Sequence, residues 1–175
     1  MSSSAPLSAQ DKRALLEQLL RERARATVTD HPTSYSQRAL WLAWQRAPES
    51  AAYNVMYAAR LRPGLEVAAL SRAVEALVDR HAALRTTFGL QEETLVQRVH
   101  SRLAVPLERV DISGWDEARI RQWVMEQGSR PFDLGQGPLL RVALLAAGAR
   151  AEDACLMLTT HHIILDGWSL EIVIG

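Results

Sequence analysis

Lysine is nearly missing from this sequence. Lys12 is the only one, and every other basic residue is arginine. That bias reads as GC-rich coding sequence of bacterial type, not as recognition chemistry. Net charge is missing too, because 20 basic residues balance 20 acidic ones. The balance removes the electrostatic drive toward nucleic acid or an anionic membrane surface. Cysteine occurs once, as Cys155 in the apolar run of residues 155–158, which excludes an intramolecular disulfide. A buried thiol fits that setting better than a nucleophile. No apolar run approaches membrane-spanning length. Residues 1–6 lack the basic-then-apolar order of a secretory signal, so a cytoplasmic location is expected.

What is present suits a globular chain. The length of 175 residues fits one domain with a real core, and 48% hydrophobic against 23% charged residues excludes disorder. Residues 8–26 predict a helix, with Ser8 and Asp11 as a capping box and Leu15, Leu16, Leu19 and Leu20 as an apolar stripe. Residues 27–33 break that pattern at His31-Pro32 and read as a linker. Residues 1–33 are therefore expected to form a helix and linker, a candidate docking element, ahead of a body at 34–175.

The body alternates types. Residues 53–61 read as a strand and 66–81 as an amphipathic helix, with Val67, Leu70, Val74 and Leu77 at helical spacing. Residues 84–90 and 94–99 predict a hairpin, and 105–111 another strand. Ser113 with Asp116 suggests a capping box opening a helix to about Gly128. Residues 139–146 and 154–160 are apolar strands, and 168–174 begins a helix. The order predicts an α/β (α+β) two-layer sandwich.

One stretch concentrates polar chemistry: "HHIILDGWS", from His161 to Ser169. His161 and His162 follow an apolar strand, so their side chains should point to opposite faces. Three readings stand. His162 can act as a general base or positioning group, because imidazole titrates near neutral pH. Asp166 then holds the architecture through an ion pair, with Arg80 and Arg85 as candidate partners. Alternatively, His161, His162 and Asp166 bind a metal, although neighbouring histidines diverge on a strand. In the third reading the histidines are satisfied core residues and Asp166-Gly167 is only a turn.

The spacing His-His-x-x-x-Asp-Gly resembles the signature of condensation domains of nonribosomal peptide synthetases, shared more loosely with chloramphenicol acetyltransferase. Ser34-Tyr-Ser-Gln-Arg-Ala-Leu-Trp41 resembles that family's first core motif, and Arg80-His-Ala-Ala-Leu-Arg-Thr-Thr-Phe88 its second. Arg130-Pro-Phe-Asp-Leu134, continuing through Gly137-Pro-Leu-Leu-Arg141, resembles a further segment. The sequence departs from the family pattern at Ala39, Ala82, Thr160 and Leu165. The intact histidine pair separates it from cyclising relatives, which carry aspartates there.

The resemblance implies a chloramphenicol acetyltransferase-like N-terminal subdomain of a two-lobed domain. It implies amide formation between a donor acyl or peptidyl thioester and an acceptor aminoacyl thioester. Both would arrive on the phosphopantetheine arms of peptidyl carrier proteins, with no cofactor bound directly and no metal. It places His162 at the catalytic centre, with Asp166 and Gly167 beside it and His161 structural. Arg85 is the expected partner of Asp166, and a backbone N–H near Gly167 would face the oxyanion. Trp168 and Ser169 would shape the floor and start the next helix. The second lobe would follow Gly175, so the chain alone is expected to be inactive. The other class of function is a non-catalytic module that keeps the fold and holds carrier proteins.

Overall fold

A computed structural model of the chain describes residues 28–148 and 154–174. The elements run β1 Val28–Pro32, α1 Tyr35–Arg46, β2 Asn54–Leu61, α2 Val67–Arg80 and a 3-10 turn Ala82–Arg85. They continue through β3 Thr86–Gln91, β4 Thr94–His100, β5 Leu107–Asp111, α3 Glu117–Gly128, β6 Leu140–Ala146, β7 Ala154–His161 and α4 Gly167–Ile174. The strands form a three-stranded sheet, β1-β4-β3, and a four-stranded sheet, β2-β7-β6-β5. All pairs are antiparallel except β5 with β6, which need the crossover that α3 provides.

The α/β architecture follows from which faces are apolar. One face of the four-stranded sheet meets α2, where Val74 and Val78 join Leu140, Val142 and Leu158. The other face meets α3, where Ile120, Trp123 and Val124 lie against Ala143, Leu145 and Met157. Strands β6 and β7 are covered on both sides, which is why they read as continuous apolar runs and not as alternating ones. Their register, from Leu140↔Thr160 to Ala146↔Ala154, carries β7 straight to His161.

Three expectations need correction or bounding. Within the expected linker, residues 28–32 form a strand: β1 pairs with β4 from Val28↔His100 to Pro32↔Val96. The body therefore begins by Val28, ahead of the boundary expected at residue 34. All five β1 residues are exposed, so no apolar alternation marks the strand, and Pro32 is tolerated at its edge position. The cap of α3 is Asp116, whose side chain accepts from Arg119 N–H at 2.8 Å. Ser113 turns back instead, its N–H and hydroxyl both donating to Asp111 Oδ1. The helix expected over 8–26 lies outside the described residues.

The β3–β4 hairpin turns at Glu92 and Glu93, with φ of +47° and +67°. Positive φ at both central positions is the geometry that matches strand twist across a two-residue loop.

Candidate active site

Strand β7 delivers the two histidines to different environments. His161 is 2% exposed, whereas His162, one residue on, is exposed. The alternation of a strand accounts for this. The His161 ring sits between Tyr53, at 6.2 Å between centroids, and the edge of Phe132, at 6.5 Å. Its Nδ1 accepts the N–H of Ile163 at 3.1 Å. A neutral ring that accepts on Nδ1 carries its proton on Nε2. Burial first, and the neighbouring His162 second, lower its pKa from 6.5 to about 4. His161 is therefore neutral at pH 7, with its Nδ1 engaged by the backbone of the loop.

The chain around His162 is tied down. His162 N–H donates to Tyr53 O at 2.8 Å, and Ile164 N–H donates back to His161 O at 3.2 Å. Ile163 and Leu165 are both 4% exposed and anchor the loop in the core. The result is an imidazole standing in solvent on a fixed backbone.

Asp166 is the N-cap of α4. Its Oδ1 accepts from Ser169 N–H at 2.8 Å. Hydrogen bonds from Ser169 hold its carboxyl below the ordinary value, with His162 contributing less. The expected ion pair with Arg85 is not formed, and none joins Asp166 to Arg80 among the described residues. Arg85 instead donates to four backbone carbonyls, those of Val78, Asp79, His100 and Ser101. Its planar fork thus ties the last turn of α2 to the end of β4. Asp166, exposed and capping α4, needs no cation to be stable as a carboxylate. Arg80 is exposed in the last turn of α2.

The remaining motif residues face outward. A Cβ at Gly167 would meet nothing within 4 Å, so no atom of the described chain demands glycine there. Trp168 is 72% exposed at the start of α4. Ser169 serves the Asp166 cap. Among the described residues no three His, Cys, Asp or Glu side chains gather as metal ligands. The Cys155 thiol is half-buried, and burial raises its pKa.

Four sequence segments that lie far apart in the chain meet directly behind the loop. Trp41, Phe88, Phe132, Leu134, Leu139 and Ile163 form one buried cluster. Backbone and side-chain bonds reinforce it: Phe88 N–H to Leu134 O at 2.8 Å, and Trp44 Nε1–H to Phe132 O at 3.0 Å. The Arg141 guanidinium lies 3.9 Å from the Phe132 ring centroid. The sequence motif assigned no role to Gln37. Gln37 is half-buried, and its Nε2 reaches Ile163 O at 3.4 Å. The capping box it forms with Ser34 was a readable signal; the contact with Ile163 was not.

Solved structures share this architecture. The starter condensation domain of rhizomide synthetase RzmA superposes with a TM-score of 0.76 at 28% identity, over 83% of this chain and 35% of that one. A four-domain nonribosomal peptide synthetase bound to AMP and glycine has a TM-score of 0.78 at 22% identity, over 85% of this chain and 11% of that one, and shows the fold alone. The fold is thus that of the condensation domains of nonribosomal peptide synthetases, chloramphenicol acetyltransferase-like.

The family profile described as "Condensation domain" matches residues 28–175, and the chain belongs to that family. It is 39% identical over 145 residues to a linear gramicidin synthase of Brevibacillus parabrevis, a match that covers 81% of this chain and 2% of the synthase. It is 37% identical over 147 residues to the chondramide synthase of Chondromyces crocatus, covering 82% of this chain and 4% of that protein. The chain thus spans a few per cent of the length of these relatives. No helix among the described residues is long and apolar enough to cross a membrane.

Proposed function

We propose that this chain carries the histidine-bearing half of a site that forms peptide bonds between two carrier-bound thioesters in nonribosomal peptide synthesis. The observation that carries the reading is the contrast between the paired histidines. One is buried, neutral and spent on the backbone; the other is exposed at the end of β7, with no ring hydrogen bond among the described residues.

The acceptor amine attacks the donor thioester carbonyl. A C–N bond forms, the C–S bond breaks, and the donor's phosphopantetheine leaves as thiol. An α-amino group has a pKa near 8, so at neutral pH it must shed a proton before it can attack. That first proton goes to solvent; as the free amine attacks, His162 orients it and takes the second proton that the nitrogen must lose, and this proton ends on the departing sulfur. In this reading the N–H of Gly167, the first residue of α4, stabilises the developing oxyanion, and glycine would allow the close approach this needs. Asp166 keeps that helix start in register. The two partners are the donor and acceptor peptidyl carrier proteins, and a second lobe of the same domain closes over His162.

The test uses the intact synthetase carrying this chain, with both carriers loaded. Mass spectrometry of the acceptor carrier should show the elongated thioester. The 175-residue chain alone should give none. Carrier binding without any elongation by the intact protein would instead support a non-catalytic carrier-holding module.

A further inference from the structure

Ile163, the residue after His162, has both of its peptide groups taken up by side chains. Its N–H donates to His161 Nδ1 at 3.1 Å, and its carbonyl accepts from Gln37 Nε2 at 3.4 Å. The first contact comes from β7 itself. The second comes from α1, 126 residues earlier in the chain.

The orientation of the Gln37 amide is determined by its surroundings. Its Oε1 accepts from Ser34 N–H at 2.9 Å. The nitrogen therefore faces two acceptors, Ile163 O and Gln97 Oε1, each at 3.4 Å. The reversed amide would set an oxygen against both acceptors and a nitrogen against a donor. Gln97 is fixed in turn, because its Nε2 donates to Pro32 O at 2.8 Å. Ser34 Oγ closes the helix cap by accepting Gln37 N–H at 3.2 Å. Trp41, on the same helix, lies in the buried cluster with Ile163. One side chain thus couples the start of α1 and the β1–β4 sheet to the peptide beside His162.

We propose that Gln37 is a positioning residue: its amide nitrogen holds the Ile163 carbonyl and so sets the angle at which the chain presents His162. The proposal rests on the reading of His162 as the centre of the site. Gln37 acts through the loop and touches no substrate. Its loss should therefore slow the chemical step, where small misplacements are costly, and leave carrier binding alone.

Gln37→Glu separates this role from helix capping. Glutamate at that position keeps an acceptor for Ser34 N–H but has no donor for Ile163 O. In the 175-residue chain at pH ~8, Gln37→Glu should speed hydrogen exchange of the Ile163 amide about fivefold, the worth of one ordinary hydrogen bond, and lower the melting temperature by no more than a few degrees. In the intact synthetase it should lower kcat about tenfold or more, with KM for both loaded carriers unchanged. Gln37→Ala should do the same and lower the melting temperature further, because the cap acceptor for Ser34 N–H is lost as well. If Gln37→Glu matches the natural protein in exchange and kcat while Gln37→Ala does not, Gln37 is a cap only and the proposal is wrong. If the natural synthetase forms no amide at all, the functional reading fails, and Ile163 exchange alone then decides whether Gln37 holds the loop.

Discussion

Nδ1 of His161 accepts the N–H of Ile163 at 3.1 Å, so the first histidine of the pair fixes the backbone that displays the second. This contact needs an acceptor on a buried ring. His161→Ala removes the acceptor and leaves the Ile163 N–H unpaired in the core. An unsatisfied buried donor costs about 1–3 kcal/mol, and the vacated ring volume adds to that. Urea unfolding should show a loss of about 2–4 kcal/mol, with an unchanged m-value.

The burial of the same ring, with His162 beside it, makes stability depend on pH. The folded pKa of His161, about 4, lies below the ordinary 6.5. Between those values the unfolded chain binds the proton and the folded chain does not. The stabilisation is thus fully present above pH 6.5 and is lost as pH falls toward 4. Unfolding at pH ~5 should show a deficit of about 2 kcal/mol relative to pH ~7.5. His161→Gln should flatten that slope. An unchanged slope in the variant would assign the pH dependence to another group.

Arg85 and Asp166 act independently. Arg85 spends its donors on the carbonyls of Val78, Asp79, His100 and Ser101, and Asp166 caps α4 through Ser169. Arg85→Lys should destabilise the chain by about 1–3 kcal/mol, because an ammonium cannot span four carbonyls. Asp166→Asn keeps a capping oxygen and should be well tolerated in stability, whereas Asp166→Ala should fray α4. Arg85→Ala and Asp166→Ala should be additive in a double-mutant cycle. A strong coupling between them would restore the ion pair that the sequence suggested.

Gly137 is needed where it stands. Its φ is +61°, and a Cβ there would come within 2.8 Å of Thr87 Cγ2. Gly137→Ala should cost about 1–3 kcal/mol in unfolding experiments. The neighbouring Gly135 has no such clash with a side chain across the chain, its nearest atom being Asp133 Oδ1 at 3.3 Å. Gly135→Ala should cost less.

Most of the scaffold was readable because its signals are periodic. Val67, Leu70, Val74 and Leu77 announce α2, and the unbroken apolar runs announce β6 and β7. The divergence of His161 and His162 followed from strand alternation alone. Strand β1 was invisible because all five residues are exposed and carry no pattern. The partner of Arg85 was misread because backbone carbonyls leave no trace in a sequence, whereas an acid such as Asp166 does. Gln37 was half legible: its cap with Ser34 is local, but its reach to Ile163 depends on how the two sheets come together. The outward face of Trp168 follows from the tertiary arrangement in the same way.

The most direct test of the account is the single-turnover rate of amide formation in the intact synthetase, comparing His162 with His162→Ala at equal carrier occupancy. Loss of a group that takes the amine proton and orients it should slow transfer by about a hundredfold or more, with both carriers still bound. Equal rates would show that His162 neither takes the proton nor holds the amine, and the site would have to be sought elsewhere in the domain.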